Sequence, residues 1–274
     1  MSAPVENPWD YFPLAMCITL KERPERQEEA RQELRRVGLK KVVFYRSERQ
    51  KDVDKGCLDS HLACLDYAVR QGAPHVLIFE DDVLFQENHQ ENMKRIVTFL
   101  QEHQECDFLS LGSFIFGKAE KIGKHFLRGS FMCLQSYVVR ADWAEKLVAN
   151  RPPCPGFSSD TYFTIMNRNR AVAHVYPPAT IQRPSASDGS WDSRSLAKSG
   201  WLGNAILYTS LDLRDRLRFN HFSIMERIRI ENGKSFFRVF KLIKGLQLAR
   251  SRRRMANPDQ GPLNPPGEFI IESL

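Results

Sequence analysis

An α/β fold built on a mainly parallel central sheet is predicted by three observations. Short runs rich in β-branched and aromatic residues alternate with longer segments of helical composition, in the order β-α-β-α-β. The apolar run Val76-Leu77-Ile78-Phe79 stops abruptly in Glu80-Asp81-Asp82, as expected of a buried strand whose acids lie at its exit. With 274 residues, 42% of them hydrophobic, the chain can bury one large core or two small ones.

Leu14 to Thr19 reads as the first strand. Glu25 to Val37 follows as a helix, with Pro24 at its first turn and Gly38 just past its end. Lys41 to Tyr45 supplies a second strand. Cys57 to Arg70 is a helix with Leu58, His61, Leu62, Leu65 and Val69 on one face, and the acidic strand comes next. Downstream, Asn88–Gln101 reads as helix, Phe108–Leu111 and Leu134–Val139 as strands, Ala141–Val148 and Asp160–Asn167 as helices, and Ala171–Tyr176 as extended. Residues 183–200, rich in Ser, Asp and Gly, read as a loop that orders over bound ligand.

In parallel α/β sheets ligands sit at the carboxyl ends of the strands, where these acids fall. Alternation along an extended backbone predicts Glu80 and Asp82 on one side and Asp81 on the other. Carboxylates converging there suit Mg²⁺ or Mn²⁺ holding a diphosphate, because these ions take carboxylate, water and phosphate oxygens together. On spacing alone a solvated acidic turn fits equally well.

The net charge of +7 is unevenly placed. Residues 211–254 hold 13 Lys/Arg and 4 Asp/Glu, a balance of +9 that leaves the rest of the chain at −2. A nucleic-acid enzyme would spread basic residues over its main domain, so no nucleic-acid partner is expected. The six cysteines form no Cys-x-x-Cys pair, which reads as reduced core thiols in a reducing compartment. Residues 1–13 lack the pattern of a secretory signal, and no run approaches the roughly 20 apolar residues needed to cross a bilayer. A cytoplasmic location is expected, with peripheral contact to a membrane surface left open.

The chain resembles glycosyltransferase family 25, the group that includes lipooligosaccharide and collagen galactosyltransferases. The pieces that carry the resemblance run in order from about residue 14 to 190. They are the first strand ending at Leu20 with Arg23 and Arg26, Gly56-Cys57 with Ser60-His61, and Phe79-Glu80-Asp81-Asp82-Val83. Ser136-Tyr137-Val138-Val139 with Ala144 and Leu147 follows, then Asp160, then Pro177-Pro178 and Gln182 with Ser187-Asp188. Thr19, where the family commonly has asparagine, and Arg46-Ser47-Glu48-Arg49 depart from the pattern. The resemblance implies a GT-A type Rossmann-like domain over residues 14–200. It also implies an inverting, divalent-metal-dependent transfer of a hexose, galactose or glucose, from a UDP-sugar to a hydroxyl of a glycan, lipid-linked saccharide or protein.

Within that frame Asp82 is the expected ligand of Mn²⁺ or Mg²⁺, with Glu80 reaching the metal through water or contacting the ribose. Asp81 faces the donor sugar or caps the following turn. Asp160 is the expected general base, its alternative role being to favour the amino end of its own helix. Arg23 and Arg26 are expected at the base or phosphates of the donor, with Arg23 preferred. Ser60 and His61 are read as nucleotide contacts or as a satisfied core pair, and His174 as a late addition to the metal sphere or a structural residue.

Lys234–Arg254 sets Phe236, Val239, Phe240, Ile243 and Leu246 at helical spacing opposite Lys234, Arg238 and Lys241. That basic helical extension, spanning 211–254, suits an anionic membrane surface or packing on the catalytic domain. Residues 256–274, with repeated Pro and Gly, read as a flexible tail. Three rival readings remain from the sequence: a binding module for nucleotide sugar, one for an anionic surface, and a sugar nucleotidyltransferase.

Overall fold

The computed structural model describes residues 7–152, 158–183, 263 and 265–274. The loop 184–200 with Ser187-Asp188, and the basic extension 211–254, lie outside the described residues.

The first half realises the expected alternation. β1 (Ala15–Leu20), α1 (Pro24–Arg36), β2 (Lys41–Ser47), α2 (Val53–Arg70) and β3 (His75–Glu80) follow one another, with β1 parallel to both β2 and β3. Pro24 opens α1, and Gly38 closes it at φ +89°, a conformation that glycine adopts without steric cost. The side chain of Asp52 caps α2 by accepting from the Lys55 amide.

The second half adds β4 (Val83–Phe85), α3 (His89–Glu102), β5 (Phe108–Ser110), the hairpin β6 (Phe114–Gly123) and β7 (Phe126–Met132), and β8 (Ser136–Arg140). α4 (Ala141–Ala149), α5 (Ser159–Met166), β9 (Val172–Val175), β10 (Thr180–Gln182) and β11 (Gly267–Ser273) complete it. The nine-stranded sheet runs β11-β2-β1-β3-β8-β5-β9-β7-β6, with β4 and β10 pairing separately. The sheet is mixed. The β2-β1-β3 block and the β5–β9 pair are parallel, and β8 enters antiparallel between β3 and β5.

Two apolar layers cover the faces. Cys17, Phe44, Leu77 and Phe79 pack with Leu34 of α1 and Met93, Ile96 and Leu100 of α3. Met16, Val43, Tyr45, Val76 and Ile78 pack with Leu58, Leu62 and Leu65 of α2, Leu147 of α4 and Phe163 of α5. Strand periodicity assigns these sets, because odd and even positions of β1 and β3 point to opposite layers.

The reading of 256–274 as a flexible tail is corrected over 267–273. There β11 pairs antiparallel with β2 from Gly267 opposite Ser47 to Ser273 opposite Lys41. Without it β2 would be the open edge of the sheet, its amides and carbonyls unpaired on one side. Phe269 stacks between Tyr67, 4.3 Å away between ring centroids, and Tyr45, at 4.7 Å. The strand is carried by the short apolar run Phe269-Ile270-Ile271 between Glu268 and Glu272, inside a segment otherwise rich in Pro and Gly.

No described helix is long and apolar enough to cross a membrane. Cys17, Cys57, Cys64 and Cys106 are free thiols.

Candidate functional site

The carboxyl ends of β1 and β3 lie side by side, with Ile18 paired to Glu80. Here β3 stops and the chain turns at Asp81 and Asp82. The expected alternation ends with it. Glu80 is the last strand residue and faces the α2 layer, whereas Asp81 and Asp82 swing together toward α1.

Arg26, in the first turn of α1, is what they meet. Its Nη2 lies 2.7 Å from Asp81 Oδ1 and 3.1 Å from Asp82 Oδ2. Thr19 donates its hydroxyl to Asp81 Oδ2 at 3.2 Å, and Gln182 Nε2 donates to Asp82 Oδ2 at 2.8 Å. The Arg183 amide also donates to the Asp82 carbonyl at 2.6 Å, so β10 is tied to the acidic turn through backbone as well as side chain.

Burial raises the Asp81 carboxyl to about 6, against the lowering pull of Arg26. Burial also raises Asp82 to about 7, with the nearby Glu80 adding to it. Desolvation works against the charge on Arg26, but Asp81, Asp82 and Glu80 more than offset it and hold its pKa above the usual value. Asp82 Oδ1 is a buried acceptor with no hydrogen-bond donor among the described residues. An ionised carboxylate oxygen in that position is costly unless a cation sits beside it. The donor set, all carboxylate oxygen, fits the hard divalent ion expected from the sequence.

On the other side of β3, Glu80 Oε1 lies 3.1 Å from His61 Nε2, and His61 Nδ1 lies 2.8 Å from the Tyr137 hydroxyl. His61 is 1% exposed. It is therefore an interior residue that orients Glu80, which matches the reading of it as a satisfied core residue. Ser60 is buried and donates its only hydroxyl proton to the Gly56 carbonyl of its own helix at 2.7 Å. It packs as part of α2.

Asp160 lies in the first turn of α5, where Ser158 is the capping residue, accepting from the Thr161 amide at 3.3 Å. Asp160 Oδ1 accepts from the Cys133 amide at 2.9 Å. Cys133 holds φ +73°, a left-handed conformation rare for a residue with a β-carbon, and its amide is turned onto Asp160. Next to Asp160, the Ser159 hydroxyl lies 3.3 Å from Cys57 Sγ. The Cys57 thiol in turn feels both Glu80 and Asp160, which add to the effect of burial in raising it. The structure thus brings Asp160 to the same end of the sheet as the acids.

His174 is not brought there, and its expected place in a metal sphere is corrected. It lies on β9, three strands from β3 or roughly 14 Å at ordinary strand spacing. It is fully buried, with Ser113 Oγ 2.8 Å from Nδ1 and the Gly129 carbonyl 3.1 Å from Nε2. Burial lowers its pKa to about 4, so it is a neutral core residue. Of the two arginines, Arg26 makes the direct ion pairs. Arg23, at the amino cap of α1, lowers the Asp81 carboxyl through its charge. Thr19, Tyr137 and Gln182 are the site residues to which sequence reasoning gave no role. Tyr137 and Gln182 stand inside the quoted motifs and Thr19 was noted only as a departure from the pattern.

Residues 44–162 match the model of the family described as Glycosyltransferase family 25 (LPS biosynthesis protein). The resemblance read from the sequence is therefore borne out. Over 166 residues the chain is 26% identical to "Probable inactive glycosyltransferase 25 family member 3" of Rattus norvegicus, covering 53% of this chain and 29% of that protein. It is equally similar to "Inactive glycosyltransferase 25 family member 3" of Homo sapiens, covering 28% of it. The match thus spans less than a third of these curated relatives. Among solved structures, a UDP-glucose pyrophosphorylase complexed with UDP-glucose aligns at TM-score 0.40 and 11% identity, over 59% of this chain and 72% of that one. A glycosyltransferase involved in glycosylation of the major capsid of PBCV-1 aligns at TM-score 0.34 and 11% identity, over 55% and 73%.

Proposed function

We propose that this chain, similar to glycosyltransferase family 25 across residues 44–162, is an inverting glycosyltransferase dependent on a divalent metal. It moves a hexose, galactose or glucose, from a UDP-sugar to a hydroxyl of a glycan, lipid-linked saccharide or protein. The observation that carries this reading is the buried, donorless Asp82 Oδ1 beside Asp81 and Arg26 at the carboxyl ends of β1 and β3.

In this reading Asp82 and Asp81 would hold Mn²⁺ or Mg²⁺. The ion supplies Lewis-acid neutralisation of the leaving diphosphate. Arg26 leaves its carboxylate partners to meet the same diphosphate, a charge-assisted contact that its position in the first turn of α1 allows. Thr19 and Gln182 keep the two carboxylates oriented while Arg26 moves. Glu80, fixed by His61, would contact the donor ribose or stand beside the metal. Asp160 accepts the proton of the acceptor hydroxyl as it attacks the anomeric carbon from the face opposite the departing diphosphate. The Cys133 amide aims its carboxylate.

A second reading has its own support. Arg26 already compensates Asp81 and Asp82, and both curated relatives carry the word inactive in their names. In that case the domain binds a nucleotide sugar without turnover. Equilibrium binding of UDP with and without Mn²⁺, on the native chain and on Asp82→Asn, tests the shared part of both readings. UDP binding that needs Mn²⁺ and is lost in the variant supports the metal-nucleotide site, and metal-independent binding unchanged in the variant opposes it.

A further inference from the structure

The hard-oxygen site leaves a second cluster unused on the α2 side of β3. Cys57 Sγ, a ring nitrogen of His61 and a carboxylate oxygen of Glu80 all lie within 4.8 Å of one another. Cys57 and His61 stand four residues apart on α2, so helical geometry stacks them on one face. Glu80 closes the triangle from the end of β3. Thiolate, imidazole and carboxylate together are a donor set for Zn²⁺ or a similar borderline transition ion, unlike the all-oxygen pair at Asp81 and Asp82.

We propose that Cys57, His61 and Glu80 form a second metal site, selective for Zn²⁺-like ions and separate from the ion held by Asp82. Two of the three ligands, His61 and Cys57, already have the outer partner that metal sites use. The Tyr137 hydroxyl lies 2.8 Å from His61 Nδ1 and fixes the ring so that Nε2 points at Glu80. The Ser159 hydroxyl, 3.3 Å from Cys57 Sγ, is placed to donate to a thiolate. Cys57 is exposed as a residue although its Sγ is turned inward, where burial raises the thiol, and the Glu80 side chain is 23% exposed, so an ion has a route in along these two side chains.

Coordination releases the Cys57 thiol proton to solvent. His61 stays neutral by changing tautomer: the Nε2 proton that it gives to Glu80 in the free protein is lost to solvent, Nδ1 takes up a proton and donates it to the Tyr137 oxygen, and the Nε2 lone pair faces the ion. Three protein ligands leave a fourth position for water or a substrate oxygen, the pattern of an open rather than a closed site. The ion would then hold Glu80 at the mouth of the donor cleft. The inference does not rest on the identity of the donor.

The test is a titration of the chelator-treated full chain with Co²⁺, read by thiolate-to-cobalt charge-transfer absorption. The expected result is a band that saturates at one Co²⁺ per chain and is displaced by Zn²⁺. Asp82→Asn keeps the band, Cys57→Ser loses it, and Tyr137→Phe weakens binding about tenfold or more. A folded native chain without the band, a band that survives Cys57→Ser, or one abolished by Asp82→Asn overturns the proposal. A second readout needs no variant. Zn²⁺ protects Cys57 from alkylation, mapped by peptide mass, and equal labelling with and without Zn²⁺ contradicts the site. Loss of UDP binding in Asp82→Asn with the cobalt band intact separates the two sites.

Discussion

Arg26 Nη2 stands 3.1 Å from Asp82 Oδ2, so a cation from α1 occupies one side of the carboxylate on which the donor site depends. The pair is largely enclosed, with 15% of the Arg26 side chain and 8% of the Asp82 side chain exposed. Removing one partner of such a pair leaves the other uncompensated. Arg26→Gln is expected to destabilise the protein by about 2–4 kcal/mol at pH 8. The loss should shrink at pH 5, where protonation relieves the acids. Urea unfolding at the two pH values measures both, and a pH-independent loss would count against the ion pair as its cause.

Asp82 sets a second pH dependence. Its folded carboxyl titrates near 7, above the ordinary 3.8 of an aspartate in the unfolded chain. Between those values the native state keeps a proton that the unfolded state has released, so the contribution of Asp82 to stability falls as pH rises from about 4 to about 7. Asp82→Asn should remove that fall and be more stable than the native chain at pH 8, by about 1–2 kcal/mol. At pH 4 the two should be nearly equal. A variant less stable than the native chain at pH 8 contradicts the assignment.

Asp160 separates base from cap. Asp160→Asn is expected to lower turnover by about 10²–10⁴-fold while leaving UDP affinity within about twofold. Ser158→Ala, which removes the cap of α5, should instead cost about 1 kcal/mol of stability with turnover preserved. Equal turnover in the native chain and Asp160→Asn, measured with a competent acceptor, assigns Asp160 to the helix alone.

The carboxy-terminal strand makes a mechanical prediction. A β-carbon added at Gly267 would lie 2.6 Å from Tyr45 Cζ, too close to be accommodated without moving the ring. Gly267→Val is expected to unseat β11, and Phe269→Ala to cost about 2–3 kcal/mol through loss of the stack with Tyr45 and Tyr67. Hydrogen exchange of the Val42 to Ser47 amides should rise in both. Unchanged protection would mean that β11 does not seal the sheet edge.

The β-α-β-α-β half was legible in the sequence because its signals are local. Pro24 and Gly38 bracket α1, and the runs at 14–19, 41–45 and 76–79 are too apolar to read otherwise. β4 and β10 were not legible, since three-residue strands carry too little pattern to separate from loop. β11 was hidden by its distance from β2, some 220 residues of intervening chain that no local periodicity bridges. At the site, Glu80, Asp81 and Asp82 stood out as a block. Strand alternation grouped Glu80 with Asp82, whereas the fold groups Asp81 with Asp82, because β3 ends at Glu80. The two readings of His174 could not be separated for a related reason, since residue type alone says nothing of β9 lying three strands away.

The most direct test is free UDP released from a panel of UDP-hexoses, with and without Mn²⁺, by the native chain and by Asp82→Asn. Slow hydrolysis of the donor reports the site without any knowledge of the acceptor. The account predicts release selective for one UDP-hexose, dependent on Mn²⁺ and lost in Asp82→Asn. No release from any donor together with no Mn²⁺-dependent UDP binding, or release undiminished in the variant, would contradict it.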